Sequence, residues 1–103
     1  MKSQAERAHD EIVRRLERQL EGSSGRQCIS FLNYHKNGLD GEIDVLATLP
    51  NGSHEFYEVK LHYHPNKHGM AIHQYERYLE AFQRTRTNCP GFLITGDGQR
   101  RRL

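Results

Sequence analysis

At 103 residues with 35% hydrophobic content, the chain has room for one small domain, a modest core and no second lobe. A net charge of +2 is too mild to prove nucleic-acid binding, and the two cysteines, Cys28 and Cys89, neither build a disulfide scaffold nor fit a zinc ribbon. The Lys/Arg/Glu-rich opening has no secretory apolar core and no run is long enough to span a membrane, so a reducing, cytoplasmic setting is expected.

In chain order, residues 3–21 place Ala5, Ala8, Ile12, Val13, Leu16 and Leu20 at helical spacing, and the stretch from Gly22 to Gly25 stops that helix. Arg26 to His35 reads as a strand, followed by an Asn37-Gly38 turn. Glu42 to Leu49 and His54 to His64 read as the second and third strands, joined by a turn at Pro50 to Gly52. Pro65 to Gly69 is expected as a loop. Met70 to Thr85 carries a helical stripe of Met70, Ile72, Tyr75, Tyr78, Leu79 and Phe82. Gly91 to Thr95 is a short apolar strand after the Cys89-Pro90-Gly91 break, and Arg100 to Arg102 read as a frayed basic tail or a phosphate contact. Arg14, Arg15, Arg18, Arg84 and Arg86 offer two further basic clusters. The predicted order is α-β-β-β-α-β, which suits a mixed sheet flanked by helices.

The chemistry concentrates between residues 41 and 60. Asp44 lies on the second strand, while Glu58 and Lys60 lie two apart on the third and so share a face. Two carboxylates on adjacent strands suit Mg²⁺ or Mn²⁺, and an ammonium beside them can orient a water or neutralise a phosphoryl oxygen. Tyr57, Val59, Leu61 and Tyr63 share the parity expected to face the core. Glu58, Lys60, His62 and His64 share the other. His62 and His64 are expected at the margin of a cleft, with backbone contact, proton transfer and metal ligation all open to them.

This order, together with Asp44 and the run Glu58-Val59-Lys60, resembles the PD-(D/E)XK nuclease superfamily, whose core is the same α-β-β-β-α-β succession of restriction-endonuclease-like type. Asp44 matches the family's metal-binding aspartate and Glu58 to Lys60 its (D/E)-x-K element, although Ile43 stands where a proline is usual. Gly41 to Asp44 fits the G-x-x-D, and Gln74 to Tyr78 the Q-x-x-x-Y, of the RecB-like branch. The resemblance covers nearly the whole chain. It implies a deoxyribonuclease that uses Mg²⁺ or Mn²⁺ held by Asp44, Glu58 and the Val59 carbonyl, with Lys60 catalytic and Gln74 and Tyr78 on the substrate. DNA, branched or single-stranded, is the implied partner, and a homodimer or a partner subunit would enlarge the grip. A dimeric Holliday-junction resolvase and a non-catalytic nucleic-acid-binding module of the same fold are the alternatives.

Two candidates compete for the ligand on the first helix. Ser3 to Arg7 is similar to the opening of archaeal Holliday-junction resolvases, which implies Glu6. Helical phase favours His9, which stands at the centre of the apolar stripe, whereas Glu6 lies roughly 70° off it and Asp10 and Glu11 point further away. RecB-like nucleases typically carry a histidine on this helix, so the resemblance to that branch also selects His9.

Overall fold

The computed structural model describes all 103 residues, the Ser23 side chain excepted. Helix α1 spans Gln4–Ser24 and is followed by strands β1 (Gln27–Lys36), β2 (Leu39–Thr48) and β3 (His54–Lys60). Helix α2 (Pro65–Phe82) then leads to β4 (Gly91–Thr95) and β5 (Arg100–Arg102). The strands form one mixed α/β sheet in the order β1-β2-β3-β4-β5. The β1-β2, β2-β3 and β4-β5 pairs are antiparallel, and α2 is the crossover that makes β3 and β4 parallel. Among the described residues no helix is long and apolar enough to cross a membrane.

Each helix covers one face of the sheet. A capping box starts α1: the Ser3 hydroxyl accepts from the Glu6 amide at 3.1 Å while the Glu6 carboxylate accepts from the Ser3 amide. Gly25, left-handed at φ 67°, ends the helix. The predicted stripe of Ile12, Val13, Leu16 and Leu20 packs on Val45, Ala47, Tyr57, Val59 and Ile94. On the other face Tyr75, Tyr78 and Leu79 of α2 pack on Ile43, Leu46, Phe56 and Cys89. Residues 55–59 of β3 are therefore buried on both sides, where one wetted face was expected.

Three expectations need correction. The third strand ends at Lys60 rather than His64, because the Gly96 amide caps the Leu61 carbonyl at 3.0 Å and the chain turns away from the sheet. A Cβ at position 96 would stand 2.7 Å from that carbonyl oxygen, so only glycine allows the approach. The expected loop Pro65–Gly69 is the first turn of α2: His64 is its N-cap, its ring accepting from the Asn66 amide at 3.1 Å, and Pro65 supplies a pre-set φ where no amide partner is needed. Met70 accordingly lies exposed early on α2 instead of starting a buried stripe. The basic tail is not frayed. It pairs with β4 as β5, and the Arg100 and Arg101 guanidiniums stack 3.9 Å from the Phe92 and Tyr63 ring centroids.

Candidate metal centre

The site begins with a local fault in the β1-β2 ladder. Ser30 pairs with Val45 and Leu32 with Ile43, but the intervening Phe31 and Asp44 do not pair, and Phe31 has a left-handed φ of 53°. The side-chain alternation changes phase there. Cys28, Val45 and Ala47 pack toward α1, whereas Leu32, Tyr34 and Ile43 pack toward α2. Asp44 is thereby turned toward α1. The β2-β3 ladder also stops at Val45 opposite Tyr57, and the Asp44 carboxylate takes over the next position, its Oδ2 accepting from the Val59 amide at 2.8 Å.

Helix α1 brings His9 to the same point. Its Nε2 lies 3.3 Å from Asp44 Oδ2 and 3.0 Å from the Val59 carbonyl oxygen. Both neighbours are acceptors, so Nε2 carries the hydrogen in this state. The Asp44 hydrogen bond raises the His9 pKa above 6.5 against the opposing effect of burial. Burial works against charge on Asp44, but the hydrogen bonds from His9, Glu58 and Val59 outweigh it and hold its pKa below the ordinary value. Glu58 is only 5% exposed. Burial first, then its contact with Asp44, pushes its pKa up to about 9. Its Oε2 has no hydrogen-bond partner among the described residues.

A second buried carboxylate on the same strand shows how a structural one is treated. Glu55 accepts from Arg26 at 2.7 and 3.2 Å and from the Tyr57 hydroxyl at 2.9 Å. Glu58 has no such cation. An unpartnered oxygen next to another carboxylate, an imidazole and a backbone carbonyl is the hard donor set that a small dication satisfies. His9, Asp44, Glu58 and the Val59 carbonyl therefore fit such an ion chemically. No three His, Cys, Asp or Glu side chains among the described residues are drawn together tightly enough to hold an ion by themselves.

No protein-family profile, no curated protein and no solved structure matches this chain. The cleft over the site, of about 510 Å³, is lined by His9, Asp44, Lys60 and His62, with Glu6 on its border. Lys60 is half-buried there. Glu6 is exposed and its carboxylate accepts from the Ser3 amide in the capping box. His64 is occupied as the α2 cap and does not line the cleft.

Gln74 and Tyr78 also depart from expectation. Tyr78 is fully buried, its ring 5.4 Å from Phe56 and 4.9 Å from Phe82, so it is a core residue and not a cleft wall. Gln74 is exposed in a separate depression of about 310 Å³ with Tyr34 and Arg77. Their i,i+4 spacing sets a shared side of α2 but cannot say which part of the sheet that side meets.

Asp10, Lys2 and Phe31 belong to the cleft without having been singled out. Asp10 is 6% exposed although helical phase points it away from the stripe. It is covered because Lys2, just before the helix, folds back to bond its carboxylate, and its Oδ1 lies 3.8 Å from His9 Nδ1. The Lys2 ammonium holds the Asp10 pKa below the ordinary range. A lysine eight residues before an acid was the only signal in the sequence.

Proposed function

We propose that this chain is a Mg²⁺- or Mn²⁺-dependent deoxyribonuclease domain of restriction-endonuclease-like fold, nearest the RecB-like branch of the PD-(D/E)XK superfamily. The observation that carries the reading is the convergence of His9 Nε2, Asp44 Oδ2 and the Val59 carbonyl beside buried Glu58, whose Oε2 has no hydrogen-bond partner among the described residues. These four groups would hold the ion, which when bound polarises a phosphoryl oxygen and makes water a stronger nucleophile at neutral pH. To receive it, His9 must surrender the hydrogen on Nε2 and Glu58 must ionise, so binding releases protons. Lys60, in the same cleft, orients the attacking water or neutralises charge developing on the phosphoryl oxygens as the leaving group departs in line. His62 borders the path and can contact the strand's phosphates.

The deciding assay compares cleavage of linear, branched and single-stranded DNA in Mn²⁺ and in EDTA. Dication-dependent cutting of any of them is expected. DNA binding without cutting would move the chain to the non-catalytic module.

Millimolar Mn²⁺ should also raise the melting temperature, because only the folded chain gathers these ligands. At a hundredfold excess over Kd the gain is about 2.7 kcal/mol, or roughly 10 °C for a domain of this size. Superimposable melts in Mn²⁺ and EDTA would remove the site as drawn.

The helix ligand is tested separately. His9→Ala should abolish both the Mn²⁺ shift and cleavage. Glu6→Ala should keep both, while loss of the capping box lowers stability by about 1 kcal/mol. The reverse pattern would transfer the ligand to Glu6 and favour the resolvase alignment.

A further inference from the structure

Phe31 is the strained residue of this fold. Among the described residues, three that are not glycine have left-handed backbone: Phe31, Asn37 and Gln83. Asn37 sits in the tight turn before Gly38, and Gln83 is the C-cap of α2, where such a conformation closes a helix. Phe31 lies in the middle of β1 with neither reason. A bulky aromatic holds this conformation only where the surroundings impose it, and such positions gather at functional sites. Nor does packing explain it, since the ring is 50% exposed. The kink turns it out of the apolar interior and over the cleft, its centroid 6.3 Å from the His9 ring.

Resting on the nuclease reading above, we infer that Phe31 is a stacking platform for an unpaired nucleobase, which makes single-stranded DNA or a frayed end the preferred substrate. The ring stands one ring-to-ring step from His9, and His9 touches Asp44, so the stacked base belongs to a nucleotide next to the phosphate at the metal centre. A base inside a duplex has both faces covered by its neighbours, and only an unpaired or terminal base can offer one to this ring. Lys60 and Lys67 on the cleft wall supply cations for the backbone, while the Lys2 ammonium, 5.9 Å from the ring centroid, is paired with Asp10. Glu6 and Glu42 on the same border offset much of that charge, so affinity leans on the stacking contact. Stacking accepts any base, hence the platform selects strandedness and not sequence.

The test measures Kd by fluorescence anisotropy for a single-stranded oligonucleotide, the same strand made abasic, and a blunt duplex. Ca²⁺ replaces Mn²⁺ and strand integrity is checked on a gel. Phe31→Asn removes the ring and suits left-handed backbone, so its melting temperature should not fall. Phe31→Leu keeps apolar bulk without a π face, which guards against a folding defect in the first variant. Both should weaken single-strand binding about tenfold, with little change for the duplex or the abasic strand, and Phe31→Trp should retain the wild-type preference. Equal single-strand affinity in wild type, Phe31→Asn and Phe31→Leu would overturn the platform while leaving the nuclease reading intact. An equal loss on the abasic strand would also overturn it, because the contact would then be to the backbone. A wild-type protein that binds no oligonucleotide would overturn the nuclease reading itself, and the platform with it.

Discussion

Replacing Lys60 by alanine is expected to slow dication-dependent cleavage ~10²- to 10³-fold, about 2.7–4 kcal/mol of barrier, with no loss of the Mn²⁺-induced rise in melting temperature. A protonated amine has no lone pair for a metal, so its contribution is to the reaction and not to the ion. The backbone at this position is firmly placed. Lys60 pairs with Thr95 at the end of the parallel β3-β4 ladder, and the next carbonyl, that of Leu61, is held by the Gly96 amide at 3.0 Å. The side chain leaves a fixed point and enters the cleft shared by His9 and Asp44. Arginine should rescue poorly, since its planar fork cannot match a compact ammonium that adjusts to a water. Single-turnover rates beside melting curves in Mn²⁺ and EDTA separate the two effects. Wild-type rates in Lys60→Ala would refute the mechanism even with the metal centre in place.

Much of the scaffold is legible in the sequence because it rests on periodicity. The α1 stripe, the first two strands and the Gly91–Thr95 strand all follow apolar spacing, and the structure places them within a few residues of the expected bounds. Elements resting on other physics were less legible. Beyond Lys60 the alternation of Leu61 and Tyr63 with His62 and His64 continues a strand pattern, yet a backbone hydrogen bond to Gly96 and a histidine cap end the strand and start a helix. Strand β5 is three arginines with no apolar signature, held by pairing to β4 and by stacking on Phe92 and Tyr63.

The site divides in the same way. The run from Gly41 to Lys60 suffices to suggest Asp44 and Glu58, and helical phase to suggest His9. The fault at Phe31 has no sequence signature, because glycine or asparagine is the usual marker of left-handed backbone and a phenylalanine stands there. That fault nevertheless aims Asp44. The burial of Asp10 depends on Lys2 folding back from just before α1, and that of Tyr78 on Phe82 one turn along α2 and on Phe56 of β3. Helical spacing places Tyr78 on the apolar stripe of α2 but does not say that Phe56 closes over its ring, and the spacing of Lys2 from Asp10 is a weak signal.

Glu58→Gln should stabilise the metal-free protein near neutral pH while abolishing both the Mn²⁺ shift and cleavage. In the wild type the Glu58 carboxyl is buried beside Asp44 and its pKa is pushed from the ordinary 4.5 to about 9. A group whose pKa is raised on folding contributes stability that is present below its unfolded value and lost as pH rises toward the folded one. Metal-free stability should therefore decline between about pH 4.5 and 9. By pH 7 the cost is of the order of 2–3 kcal/mol relative to pH 4. His9, with its pKa raised above 6.5, declines in the same direction, whereas Asp44, with its pKa lowered, costs stability only in acid below its ordinary 3.8. Glutamine carries no titrating proton, so the variant should remove most of that slope and leave the smaller part due to His9. Melting temperatures from pH 5 to 9 in EDTA read this directly, and parallel slopes for the two proteins would show that Glu58 is not the strained group. In Mn²⁺ the wild-type trend should weaken or reverse, because a dication would replace the proton that the buried carboxyl retains and would bind more tightly as pH rises. Under the proposed function, Glu58 is a carboxyl that disfavours the metal-free fold near neutral pH and that a bound dication would relieve.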